Sequence, residues 1–241
     1  MRRPARWRAW LKRIAPLVAI VRHARAHMTP IGRGRRAAER RGAALLQPST
    51  VTRMDRHPHL VAAVAARLGP RPWILSFGCS TGEEAFTLAR AIGDARIDAI
   101  DANPACIARA ERGRARSEHG GRIRFACADA PDAFARTYDA IFCLSVLRHG
   151  DLDMLRPVSS TALMPFARFA ATIDALDRCL RPGGMLILWG CHFRFEDSAV
   201  HARYRAVPTP GVAPQSGPFY GPNDRAIPDA VVGSFVFVKT G

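Results

Sequence analysis

Between residues 57 and 192 short apolar runs alternate with stretches whose apolar positions recur every three or four residues. Residues 59–68 have helical periodicity, and Gly69-Pro70 stops it. Beyond that break the pattern predicts strand 73–77, helix 84–92, strand 97–100, helix 104–116, strand 123–126, strand 138–144, helix 165–180 and strand 185–189. Arg181-Pro182-Gly183-Gly184 supplies the turn ahead of strand 185–189. Residues 193–232 are rich in Pro and Gly and weakly patterned, and 234–238 reads as a final strand.

Strands apolar throughout and alternating with helices imply a parallel sheet covered on both faces by right-handed βαβ units. The fold class is therefore α/β: a Rossmann-like, doubly wound, mostly parallel seven-stranded sheet with its last strand antiparallel. Residues 1–50 stand apart as an Arg-rich helical appendage, with 51–241 as the main domain. Within the appendage Trp7, Trp10, Leu11, Ile14, Leu17, Val18 and Val21 recur at helical spacing opposite Arg3, Arg6, Lys12 and Arg13, and Pro16 predicts a kink. Residues 33–41 are a charge run, read as a solvated helix face or linker.

The 241 residues, 48% of them apolar, suffice for one large core. Net charge is +16, yet residues 1–50 hold thirteen Lys or Arg against one acid, Glu39, leaving 23 bases and 19 acids elsewhere. A main domain so nearly balanced does not favour nucleic acid as its partner, although residues 1–50 leave that contact open. Lys12 and Lys239 are the only lysines, a bias toward Arg that reads as codon usage rather than a tuned phosphate surface. No apolar run approaches the roughly 20 residues of a transmembrane segment. Six separate cysteines without a C-x-x-C pair give no zinc or redox motif, so no metal is expected and the location expected is cytoplasmic. A basic start, the run 14–21 and Ala24-Arg25-Ala26 imitate a secretory signal, but Arg22, His23 and Arg25 crowd its cleavage site.

Candidate chemistry centres on Phe77-Gly78-Cys79-Ser80-Thr81-Gly82-Glu83, where a strand runs through a small-residue turn straight into a helix. In an open parallel sheet that turn borders the ligand crevice. Asp101 ends the next strand, 23 residues after Gly78. A carboxylate there can accept hydrogen bonds from the vicinal hydroxyls of a ribose, its plain alternative being a strand-end turn with Asn103-Pro104. Asp129 follows the third strand, where it either reaches an adenine edge or caps a helix beginning near Pro131. Ala102, Ala130 and Leu144 complete the expected cofactor-binding set. The turn is not G-x-G-x-x-G and no Lys follows Gly82, which argues against a dinucleotide or P-loop site.

Phe77-Gly78-Cys79-Ser80-Thr81-Gly82-Glu83-Glu84 resembles the G-C-S-T-G-E-E segment of the chemotaxis receptor methyltransferases, a branch of the class I S-adenosylmethionine enzymes. The likeness extends through Asp101-Ala102-Asn103, the segment from Tyr138 to Cys143, and Leu180-Arg181-Pro182-Gly183-Gly184. It implies S-adenosyl-L-methionine as cofactor, with Gly78 and its neighbours at the methionine end, Glu83 near the amino-acid portion, Asp101 at the ribose and Asp129 at the adenine rim. That family carries Cys-Arg-Asn-Val-Leu-Ile after its fourth strand, where this chain has Cys143-Leu144-Ser145-Val146-Leu147-Arg148. Cofactor binding carries over, and methylation of a receptor glutamate does not.

Methyl transfer needs two reactants held in line and a base where the nucleophile carries a proton. His149 and His192 follow the fourth and fifth strands and are the candidate catalytic residues, with Asp151 or Asp153 to orient His149 and Arg148 to hold an acidic substrate. Residues 193–227 suggest a substrate lid. The expected activity is methyl transfer to a small-molecule or protein acceptor. The alternatives are an RNA methyltransferase using residues 1–50 or a non-catalytic cofactor-binding regulator.

Overall fold

The computed structural model describes residues 24, 28–43, 45–47 and 49–240. The amphipathic pattern of residues 7–21 lies outside these described residues. Helix α1 (Pro30–Arg40) is capped by Thr29, whose hydroxyl accepts from the Gly32 N–H at 3.0 Å. Here the predicted charge run is helical and packs on a partner, because buried Gly34 and Ala38 bring α1 onto the later helix Pro104–Arg114. Helix α2 (Pro58–Ala65) follows.

The sheet comprises β1 (Trp73–Phe77), β2 (Arg96–Asp101), β3 (Ile123–Cys127), β4 (Tyr138–Leu144) and β5 (Leu180–Trp189), joined to β6 (Tyr204–Val207) and a last strand, β11. Helices α3 (Glu83–Ala91), α4 (Pro104–Arg114), α5 (Gly150–Leu155) and α6 (Phe166–Arg178) lie between the parallel strands. Two short antiparallel pairs fill the C-terminal loop: β7 (Gln215–Ser216) with β10 (Val231–Val232), and β8 (Phe219–Tyr220) with β9 (Ala226–Ile227). The last strand is β11 (Val236–Lys239). The seven strands run in the order β3-β2-β1-β4-β5-β11-β6; β1 to β5 are parallel and β11 is antiparallel to both neighbours.

Alternation along each strand divides the core between the two faces. Ile74, Ile97, Ala99, Phe142 and Ile187 face α2 and α3, while Leu75, Phe77, Ile141, Leu186 and Leu188 pack with Phe169 and Ile173 of α6. No helix among the described residues is long and apolar enough to cross a membrane.

Three local departures have physical causes. Strand β6 escapes a periodicity reading because it is four residues long at the sheet edge with its two middle positions exposed. Arg181–Gly184 form a bulge inside β5: Tyr138 pairs with Leu180 and Ala140 with Met185, so the intervening residues loop out. Residues 128–137 hold turns where a helix was expected near Pro131. The sheet face beside β3 is covered instead by Trp73 and the guanidinium groups of Arg96, Arg124 and Arg136, at 5.1, 5.5 and 3.5 Å from its ring centre.

Candidate functional site

Phe77 pairs with Ile100, the last position before β1 ends, so the turn after β1 lies beside Asp101. Gly78 N–H and Cys79 N–H both donate to the Ile100 carbonyl, at 2.9 and 2.8 Å. Gly78 has φ +74°, and a side-chain carbon there would stand 2.5 Å from Val146 Cγ2. Glycine is therefore required both for the backbone angle and for the approach of the β4 loop. Asp101 clamps the turn: Oδ2 accepts from Ser80 N–H at 2.9 Å and Oδ1 from Asn103 N–H at 2.8 Å. Burial pushes the Asp101 carboxyl up from its ordinary pKa, against the downward pull of those two donors.

A cavity of about 460 Å³ opens here, within the usual size range of small-ligand sites. Of the sequence-predicted residues, Phe77, Gly78, Ser80 and Asp101 form one wall, with Ala102, Asp129 and Leu144 further along. Cys79, Thr81, Gly82 and Glu83 do not line it. Cys79 is buried beneath the turn, and Thr81 Oγ1 donates to Glu83 Oε2 at 2.6 Å, holding that carboxylate at the start of α3. Ala130 borders a separate cleft with Asp132 and Arg136.

Neither candidate histidine lines the cavity. His149 Nδ1 accepts from the Asp151 N–H at 3.2 Å and caps α5. His192 is 2% exposed, with Nδ1 2.9 Å from the Pro218 carbonyl and Nε2 3.1 Å from the His149 carbonyl. Burial pushes its pKa down. The nearly unexposed ring is walled in by two carbonyls and bridges the β4 and β8 segments. Residues 193–227 also contribute nothing to the cavity wall; Phe193, Phe195 and Tyr220 are core residues. The expected lid is thus packing.

The cover comes from a segment that periodicity did not flag. Leu45, Leu46, Gln47, Ser49, Thr50, Val51 and Thr52 pass over the cavity. Gln47 Nε2 donates to the Ser145 carbonyl at 3.3 Å and Ser80 Oγ donates to the Thr50 carbonyl at 3.0 Å, so the strap spans from the β4 loop to the β1 turn. It leads to Arg56, which lines the cavity, donates to the Val51 carbonyl at 3.3 Å and lies 5.8 Å from the Trp189 ring centre. Burial lowers the Arg56 pKa, the charge of Glu84 opposes that, and Arg148 and Arg53 add repulsion. Arg148 also faces the cavity, but it is held by Asp153 through two 2.7 Å hydrogen bonds.

Glu84 lies behind the turn, accepting from Ser76 Oγ at 2.7 Å. Burial pushes its pKa up from 4.5 to about 7, partly offset by the Ser76 hydrogen bond and by Arg56. Below pH 4.5 the carboxyl is protonated in folded and unfolded chains alike. Between 4.5 and about 7 only the folded chain keeps the proton, so stability falls as pH rises, by at most about 1.4 kcal/mol per unit, and is constant above. Glu84→Gln removes this cost: its melting temperature is expected to match wild type at pH 4.5 and to exceed it increasingly toward pH 7.5. Equal pH profiles for the two proteins would contradict a desolvated carboxyl.

Residues 75–186 match the family described as methyltransferase domain, a stretch running from β1 into β5. Among solved structures, a methyltransferase from Geobacter sulfurreducens in complex with S-adenosyl-L-homocysteine is 20% identical over 58% of this chain and 51% of its own, TM-score 0.41. One from Thiobacillus denitrificans, also with S-adenosyl-L-homocysteine, is 21% identical over 56% and 48%, TM-score 0.40. The CcbJ methyltransferase from Streptomyces caelestis is 18% identical over 58% and 54%, TM-score 0.44. The chain spans about half the length of these proteins, and likenesses this distant carry no information about substrate. No curated protein matches the sequence.

Proposed function

We propose that this chain transfers a methyl group from S-adenosyl-L-methionine to a small polar acceptor inside the strapped cavity. The observation that carries the proposal is the placement of Gly78 and Asp101 in one wall of a cavity lined also by residues 45–47 and 49–52. The G-C-S-T-G-E-E resemblance supports the same cofactor.

The residues present suit that cofactor. Gly78 leaves room for a ligand at the turn, with Ser80 beside it; Asp101 has the position and charge to hold the ribose hydroxyls, and Asp129 stands at the rim for the adenine. Arg56 is the cavity arginine without an ion pair among the described residues, since Arg35 pairs with Glu39 and Arg148 with Asp153. We assign it to the methionine carboxylate. When bound, the cofactor supplies an electrophilic methyl group on sulfur. The chain's part is to aim that group toward the ends of β4 and β5, at Leu144, Ser145 and Trp189, and to keep water out with the strap. His149 and His192 are assigned to scaffolding, so proton removal falls to solvent or to a cavity-wall group.

The strap favours a small acceptor over a receptor side chain or an RNA base, because both Ser80 and Ser145 are tied to it. It also ties residues 45–47 and 49–52 to the β1 turn and the β4 loop. Calorimetric titration tests the reading: wild type is expected to bind S-adenosylmethionine, and no heat at millimolar cofactor removes it. Arg56→Gln is expected to weaken S-adenosylhomocysteine about tenfold, or 1.4 kcal/mol, and to leave 5′-methylthioadenosine, which lacks the carboxylate, unchanged. Equal losses for both ligands would reassign Arg56 to the strap.

A further inference from the structure

Among the described residues three buried side-chain polar atoms have no hydrogen-bond partner: Ser145 Oγ, His57 Nε2 and Arg136 Nε. Arg136 lies beside Asp98 at 3.2 Å and over Trp73, which begins β1, whereas the cavity turn follows the end of β1. The other two flank Trp189. The His57 ring centre is 4.2 Å from that of Trp189, and Ser145 N–H donates to the Trp189 carbonyl at 2.6 Å. Of the two, Ser145 Oγ belongs to a residue that lines the cavity, at the Trp189 end, away from Asp101.

Ser145 is also held in an unfavourable backbone conformation, φ +62°, which glycine adopts freely and other residues rarely. Its surroundings accommodate the hydroxyl rather than satisfy it. A side-chain carbon on Gly190 would stand 2.7 Å from Ser145 Oγ, so the space the oxygen occupies exists only because residue 190 is glycine. The Ser145 carbonyl is gripped by Gln47 of the strap at 3.3 Å, and the residue itself lines the cavity. An orphaned hydroxyl on a strained residue costs stability twice. The hydroxyl is turned toward Gly190, and because the residue itself lines the cavity, rotation about its Cα–Cβ bond is what would bring the oxygen to a partner there.

Building on the methyltransferase reading, we propose that Ser145 is the acceptor-positioning residue: its hydroxyl takes a hydrogen bond with a hydroxyl or amine group of a small acceptor seated between Trp189 and the Arg148–Asp153 pair. The acceptor class is thus a small molecule with an O–H or N–H group at or next to the methyl-accepting atom. In the transfer, the acceptor oxygen or nitrogen forms the new bond to the methyl carbon as the carbon–sulfur bond breaks. Sulfur keeps the bonding pair, and the acceptor's proton leaves to solvent. Arg148 and Asp153 offer a donor and an acceptor to the rest of such a molecule, at 35% and 27% side-chain exposure.

The test uses the full chain as wild type, Ser145→Gly and Ser145→Ala, with three readouts: melting temperature, S-adenosylhomocysteine affinity, and transfer of labelled methyl from S-adenosylmethionine to the filtrate below about 3 kDa of the source cells. Ser145→Gly relieves both the strain and the orphan. It is expected to melt about 2–4 °C higher, to bind S-adenosylhomocysteine within twofold of wild type, and to transfer at least tenfold more slowly. Ser145→Ala, keeping the strain and losing only the hydroxyl, is expected to lose transfer to the same degree. Stability and activity moving in opposite directions is what a purely structural serine would not show. Undiminished transfer by both variants overturns this inference alone. Wild type that binds cofactor but labels nothing in the filtrate removes the small-acceptor reading and this inference with it.

Discussion

Asp98→Ala is expected to destabilise the protein by about 2–4 kcal/mol without altering the cofactor affinity of molecules that remain folded. Asp98 is fully buried in the middle of β2. Its carboxylate accepts two hydrogen bonds from Arg124 at 2.8 Å and one from Tyr138 at 3.2 Å, and Arg136 lies at 3.2 Å. Removing it strands the Tyr138 hydroxyl, on a residue that is itself fully buried, and takes away the carboxylate paired with Arg124 and Arg136, two of the guanidinium groups around Trp73. Arg124 is half-exposed and can turn to water, which places the cost below the upper end for a broken buried pair. The stack stands in for the helix missing between β3 and β4, so its loss uncovers sheet as well as charge. Asp98 is three residues, roughly 10 Å, from Asp101. Melting is therefore expected to fall by roughly 5–15 °C, while titration well below the transition returns the wild-type dissociation constant. A change of cofactor affinity as large as the change in stability would show that the sheet transmits strain to the cavity.

That separation of roles explains which parts of the molecule the sequence reveals. The β1 turn and Asp101 were legible because both depend on short-range features: an apolar run, small residues at a forced turn, and an acid where the adjacent parallel strand ends. Parallel pairing then brings them together without any further information. The strap and Arg56 had no such mark. Gln47 reaches Ser145 across 98 positions, and its segment has neither helical nor strand period, so nothing local distinguishes it from a linker. Arg56 is one of many arginines in a chain biased toward that residue, and what sets it apart is that it lines the cavity without an ion pair among the described residues, which only the packed structure shows.

The histidines lie outside the cavity wall for a related reason. Topology correctly placed both after strands that end at the cavity, but side-chain direction is decided by tertiary partners. His192 turns toward the Pro218 and His149 carbonyls, and His149 toward the first turn of α5. Ser145 shows the reverse. Its position was visible as a departure from the Cys-Arg-Asn pattern, yet its positive φ and unpartnered hydroxyl cannot be read from residue type.

Asp101→Ala is expected to weaken S-adenosylmethionine binding by about 2 kcal/mol, roughly thirtyfold, the worth of charge-assisted bonds to ribose hydroxyls. The same carboxylate also holds the turn, so a loss of affinity alone does not separate ribose contact from loop collapse. The nucleoside probes do. If Asp101 grips the sugar, wild type prefers adenosine over 2′,3′-dideoxyadenosine by about the factor that the mutation costs, and Asp101→Ala binds the two alike. Relief from burying a charge partly offsets the lost bonds to Ser80 and Asn103, so the variant is expected to remain folded with a melting temperature within a few degrees of wild type. A variant that binds more weakly yet keeps the full preference for adenosine would leave Asp101 as a clamp on the turn and nothing more, and the ribose would have to be held elsewhere in the wall.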